Sequence, residues 1–191
     1  MIPLLSAATA TPAQAARRIL SRPHGAYTDK DVAAICQAYA DTCAAGGLDL
    51  AMVVAQLIHE TGNLSSWWAA RPRRNPAGIG VTGRESLGRP QSGAWAERGA
   101  LWVEGCSFAS WADDAVPAHV GRLLAYALAP GQGTPAQQQL IEQAMRVRPL
   151  PRAFRGVAAA TGWQALNGRW AVPGGDYDQR IARIAETIRR A

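Results

Sequence analysis

Glu60 is an acidic side chain standing where the sequence pattern calls for an apolar one, in the stretch AQLIHETGNLSSWW from Ala55 to Trp68. Leu50, Val53 and Leu57 advance by three and four residues, the spacing of one helix face, and the next step lands on Glu60. A carboxyl group on such a face is costly unless it is neutral or paired. Partial burial disfavours its charged form, and so does the negative end of the helix dipole, close by because Gly62 stops the helix. Both effects raise the pKa, and a carboxyl that keeps its proton near neutral pH is suited to general acid catalysis. The plain alternative is a solvated glutamate at a frayed helix end.

The residues downstream suit such an acid. Asn63, Ser65 and Ser66 offer hydrogen-bonding groups, and Trp67 and Trp68 offer flat aromatic faces. In NPAGIG, Asn75-Pro76 favours a turn and Gly78 permits a positive φ. An acid, aromatic platforms and a tight polar loop together suit a carbohydrate cleft. HETGN is not a zinc motif, because HExxH would need histidine where Asn63 stands. His59 and His119 are expected to pack or to hydrogen-bond, and neither a metal nor a cofactor is predicted.

The elements that must hold these residues are mostly helical. Thr11-Pro12 and Thr134-Pro135 each place a capping residue before a first-turn proline. Thr28 with Asp31 forms a capping box that opens a helix carrying Val32, Ile35, Tyr39 and Cys43 as far as Gly46-Gly47. Asp49 caps the helix that carries Glu60 and stops at Gly62. From Asn75 to Phe108 the chain is rich in Gly, Pro, Ser and Arg, and AWAERGALWVEG alternates about Glu97-Arg98-Gly99, a β-hairpin in a loop-rich lobe. Helices resume in DAVPAHVGRLLAYAL, from Pro135 to Arg146 and near Trp163. The last helix puts Ile181, Ile184 and Ile188 on one face. There is no internal repeat and no linker, so a single domain over residues 1–191 is expected: mainly α (α+β), with a small β-hairpin lobe.

At 191 residues the chain can bury a substantial core. Of its 20 basic side chains all but Lys30 are arginine, and a net charge of +6 points to a polyanionic partner or simply to solubility. Cys36 and Cys43 lie two helical turns apart, about 10 Å, too far for a disulfide. With Cys106 they read as buried thiols in a reducing compartment. The start, MIPLLSAATATPAQA, imitates a signal peptide but lacks its basic region. No segment is long enough to cross a membrane, so stable membrane insertion is not expected.

VVAQLIHETGNLSSWWAARPRRNPAGIGV resembles the signature of the bacterial and phage endo-β-N-acetylglucosaminidases, lysozyme-like peptidoglycan hydrolases. In that family a helix ends in Ala-Gln, a few residues and Glu-Ser/Thr-Gly, and Asn-x-x-Gly-Ile follows. The likeness continues in FASWADDAVPAHVGRLLAYA and ends in RWAVPGGDYDQRIARIA, covering roughly residues 30 to 188. It implies a lysozyme-like helical domain that cleaves β-1,4 bonds between N-acetylglucosamine and N-acetylmuramic acid. Glu60 matches the catalytic acid, Asn75 and Gly78 the loop at the floor of the cleft, and Tyr177 a tyrosine facing the active site. Two departures stand out. The first aromatic of the last motif is Trp170 rather than Tyr, and the following Thr-Asp is replaced by Val172-Pro173, so the aspartate's role is lost or passes to Asp176.

Glycoside hydrolysis usually takes a second carboxylate. The resemblance puts it in the hairpin lobe, where Glu97, Glu104 and Glu85 are the candidates in that order; substrate assistance by the N-acetyl group is the alternative. Trp67 or Trp68, and Trp170, are expected to stack on sugar rings, with core packing as the other possibility. Arg71, Arg73 and Arg74 form a basic cluster suited to the carboxylates of peptidoglycan glycan strands, or simply a solvated loop. A muramidase or lytic transglycosylase would fit the same core. A non-catalytic wall-binding or phage structural module is the rival outside the enzymes. Nucleic-acid binding is not expected, because the arginines scatter between loops and the last helix. A monomer is expected, made in the cytoplasm without a recognisable signal peptide and acting on the bacterial cell wall, for example as a phage endolysin released by a holin.

Overall fold

The computed structural model describes every residue from Met1 to Ala191 except Pro173. Among the described residues six α-helices pack about one buried cluster, and a three-stranded antiparallel sheet adjoins them. The protein is mainly helical with a small sheet, as the sequence pattern predicts.

Local chemistry sets the helix starts. α1 (Pro12–Leu20), α2 (Asp29–Gly46) and α5 (Pro135–Val147) open with reciprocal capping boxes, in which Thr11, Thr28 and Thr134 accept from Gln14, Asp31 and Gln137. α3 (Leu50–Thr61) is capped by Asp49, which accepts from the Ala51 N–H at 3.0 Å. Asp49 also accepts from Thr9 and from Arg189 of α6 (Tyr177–Arg189), so one buried carboxylate ties the N-terminal segment and the last helix to the start of α3.

α3 departs from the expected single stripe. Every residue from Leu50 to Ile58 is buried, because α1, α2 and α6 all pack around this helix. Burying one large aliphatic side chain stabilises by about 1.5–3 kcal/mol, so α3 is the central strut. A similar correction applies to α6, where Tyr177, Ile181, Ala185 and Ile188 form the buried face and Ile184 lies only half-buried beside it.

The segment DAVPAHVGRLLAYAL also divides. Trp111–Ala115 is a π-helical turn and α4 is Val116–Ala127. Pro117 cannot donate to the carbonyl four residues back and its ring crowds that carbonyl, which widens the turn before it. The sheet has the order β1 (Glu85–Ser86), β3 (Leu101–Glu104), β2 (Trp95–Arg98), with Glu97 opposite Trp102 and Ala96 opposite Val103. Among the described residues no helix is long and apolar enough to cross a membrane. Cys36, Cys43 and Cys106 are all free and buried, and burial pushes the Cys36 thiol up to about 12.

Candidate active site

Glu60 occupies the last turn of α3, half-buried, with Gly62 closing the helix in the left-handed region and donating its N–H to the Ile58 carbonyl. Its Oε1 accepts a hydrogen bond of 2.5 Å from the Tyr177 hydroxyl at the start of α6. Oε2 has no hydrogen-bond partner among the described residues and lies beside Gly78. Burial raises the Glu60 pKa, and the Tyr177 hydrogen bond lowers it by a smaller amount. The carboxyl group is therefore held by one oxygen and open at the other, and poor solvation favours its protonated form.

Tyr177 is itself held by a chain of buried polar groups. Gln56 Nε2 donates to the Tyr177 hydroxyl oxygen at 2.7 Å, and Gln56 Oε1 lies 2.9 Å from His119 Nε2. His119 Nδ1 lies 2.9 Å from the Tyr39 hydroxyl. One arrangement of protons satisfies every link: Tyr39 donates to Nδ1, the Nε2–H donates to Gln56, Gln56 donates to Tyr177, and Tyr177 donates to Glu60. Burial pushes His119 down to about 3, so its ring is neutral and can accept at Nδ1 while donating at Nε2. The chain runs through α2, α4, α3 and α6 and ends on the acid. Gln56 and Tyr39, which stand outside the expected site residues, join this chain through the fold. Gln56 carried a signal, since it sits one turn before Glu60 on the same helix and interrupts the same apolar surface. His119 hydrogen-bonds, as expected, but toward the acid rather than as isolated packing. His59 packs edge-on against Tyr177, with ring centroids 5.5 Å apart.

Asn75 is fully buried and its amide is committed to its own loop. Nδ2 donates to the Ile79 and Cys106 carbonyls, and Oδ1 accepts from the Ala77 and Ile79 N–H groups. Its side chain shapes the turn, and both its amide oxygen and its amide nitrogen are engaged within that loop. Gly78 takes φ +61° at the tip of that turn, where any side chain would be strained and would approach Glu60. Asn63 likewise faces inward, donating to the Ile19 and Pro23 carbonyls.

The aromatic and basic residues are engaged with one another. Trp67 and Trp68 meet edge to face at 4.8 Å. Arg73 stacks 3.6 Å from the Trp67 ring, with Arg98 over the same ring at 5.7 Å. Trp68 fills the space beside Gly105. Arg71 pairs with Asp31 at 2.6 Å, Arg73 donates to the Trp67 carbonyl, and Arg74 donates to the Pro72 and Phe108 carbonyls. This basic cluster braces the loop after α3. Trp170 is half-buried, 5.8 Å from His119 and 5.9 Å from Tyr126. Asp176 is bound to Arg180 at 3.0 Å, and that hydrogen bond chiefly holds its carboxyl below the usual carboxylate range. Pro173, of the departing Val172-Pro173 pair, lies outside the described residues.

Of the three hairpin carboxylates, Glu85 pairs with Arg98. Glu104 is buried and accepts from Thr82 and Arg84. Glu97 is exposed and free of hydrogen bonds and ion pairs among the described residues, and it shares a sheet face with Trp95, Trp102 and Glu104. None of the three is hydrogen-bonded to Glu60 or Tyr177. Among the described residues no group of three or more His, Cys, Asp or Glu gathers in a way that could hold a metal ion. Comparison of the chain with protein-family models, with curated proteins and with solved structures finds no match.

Proposed function

We propose that this protein is a lysozyme-like peptidoglycan hydrolase that cleaves the β-1,4 bond between N-acetylglucosamine and N-acetylmuramic acid, with Glu60 as the general acid. The observation that carries the reading is the Glu60 carboxyl itself: raised in pKa by burial, oriented through Oε1 by Tyr177, and open at Oε2 beside the Gly78 turn. In the proposed reaction Oε2 delivers the proton to the leaving glycosidic oxygen. The sequence resemblance supports the substrate class. Glu97 suits the second role best, since a base or nucleophile needs a free carboxylate and Glu85 and Glu104 are both engaged. The hairpin would carry Glu97 over the cleft when substrate binds.

The absence of any second carboxylate bonded into the Glu60–Tyr177 network, among the described residues, gives one-glutamate chemistry its own support, by substrate assistance or as a lytic transglycosylase. Digestion of purified peptidoglycan by wild type and Glu60→Gln, with reduction and mass spectrometry of the products, tests both. Reduced N-acetylglucosamine ends are expected from the wild type, and the variant is expected to lose about a thousandfold in rate while keeping its fold. Anhydro-muramic ends would assign the transglycosylase, and a folded Glu60→Gln with near-full activity would remove Glu60 from the reaction.

A further inference from the structure

On the far side of the Gly78 turn lies a cavity of about 200 Å³ whose lining includes Thr82, Tyr126, Trp170 and three arginines, Arg122, Arg148 and Arg169. Gly78 connects it to the acid: its backbone lines the cavity, and a Cβ built on it would lie 4.0 Å from Glu60 Oε2. Arg71, Arg84, Arg98 and Arg180 each have a carboxylate partner. Arg122, Arg148 and Arg169 form no ion pair among the described residues, and no aspartate or glutamate lines the cavity. Glu104 lines the adjoining groove together with Arg148, but its carboxylate is held there by Thr82 and Arg84.

The cluster is built rather than scattered. Arg122 is partly buried, lies 5.8 Å from the Trp170 ring centre and donates through Nη1 to the Arg148 carbonyl. Arg169 donates through Nη1 to the Ala165 carbonyl. Each bond uses one N–H of a five-donor group; Arg122 also interacts with the Tyr126 hydroxyl, and both groups keep further donors. Burial chiefly pushes the Arg122 guanidinium down; Tyr126 opposes that shift, and the neighbouring Arg148 adds to it. Three gathered cations without a counter-charge repel one another, and a bound anion relieves that repulsion.

We propose that Arg122, Arg148 and Arg169 form an anion subsite that takes a carboxylate carried by the glycan substrate next to the bond at Glu60. The inference rests on the proposed glycosidase reading and names what that site recognises beyond the sugar ring. A planar carboxylate matches the guanidinium fork, and Trp170 supplies an apolar wall beside it. In peptidoglycan the stem peptide of the muramic residue carries such carboxylates, as does its lactyl group where the peptide has been removed, whereas N-acetylglucosamine carries none. A phosphate from another wall polymer shares the chemistry, and the experiment separates the two.

Calorimetric binding of N-acetylmuramoyl-L-alanyl-D-isoglutamine, N-acetylglucosamine and inorganic phosphate would be compared for the wild type and an Arg148→Ala/Arg169→Ala double variant. Both side chains are exposed, and the bond from Arg122 to residue 148 uses a backbone carbonyl, so the double variant keeps its fold. Muramoyl-peptide binding is expected to weaken about tenfold or more in the variant. N-acetylglucosamine binding is expected to stay unchanged. Equal muramoyl-peptide affinity in both proteins would overturn the subsite, and phosphate binding as tightly as the muramoyl peptide would overturn its assignment to a carboxylate. Binding is read without turnover. Arginine-dependent binding by a protein that leaves the wall uncut would therefore sink the glycosidase reading alone, while cleavage without such binding would sink the subsite alone.

Discussion

A carboxyl that acts as an acid must hold its proton when substrate arrives, and at Glu60 two effects of opposite sign set that condition. Burial raises the pKa and the Tyr177 hydrogen bond lowers it. In the proposed reaction activity therefore falls as pH rises through the Glu60 titration. Tyr177→Phe removes the lowering contribution alone, so the alkaline limb of kcat/KM should move to higher pH. The same change strands Gln56 Nε2, at a stability cost of about 1–3 kcal/mol. A pH–rate profile on peptidoglycan would read the shift, and a limb left in place would mean that Tyr177 does not couple to the proton of Glu60.

At the scale of elements, the site depends on helices whose separation is fixed by small residues and caps. α4 carries His119 into the core and lies against α5 with Gly121 at the crossing, where an added Cβ would come 2.0 Å from the Leu140 carbonyl oxygen. That oxygen belongs to a helix backbone and cannot rotate aside, so Gly121→Ala forces the two helices apart. We expect a loss of about 3 kcal/mol in urea unfolding. An unchanged midpoint would show that the α4–α5 contact yields freely. The sequence made the helix starts legible because threonine, proline and a residue three places on act over a single turn. It did not reveal that α3 is buried on almost every side, because a pattern of Leu, Val and Ala shows apolarity without the number of neighbours.

Across the whole molecule, the chain from Tyr39 through His119 and Gln56 to Tyr177 and Glu60 links four helices through polar atoms inside the core. It makes stability depend on acid. An unfolded histidine takes up a proton below its ordinary value of 6.5, whereas native His119 stays neutral down to about 3. The unfolded state therefore binds more protons in that window, and stability falls as pH drops through it. The slope is about 1.4 kcal/mol per pH unit for one proton. Urea unfolding at several pH values should show this slope flattened by that amount in His119→Gln. Equal slopes in the two proteins would mean that His119 already carries its proton in the native state.

The sequence alone determined what local rules can carry: the helix starts and stops, the hairpin about Gly99, and Glu60 as a carboxyl set into an apolar surface. Each is written within a turn or two of chain, where spacing and residue type suffice. Only the tertiary structure decided which side chains reach Glu60. Gln56 and Tyr177 stand 121 residues apart and His119 and Tyr39 80 apart, yet each pair meets within hydrogen-bond distance. It also showed that Arg71, Arg73 and Arg74 brace a loop, whereas Arg122, Arg148 and Arg169 line a cavity that holds no carboxylate. A guanidinium's partners are set by how the chain crosses itself, and local spacing carries no record of that.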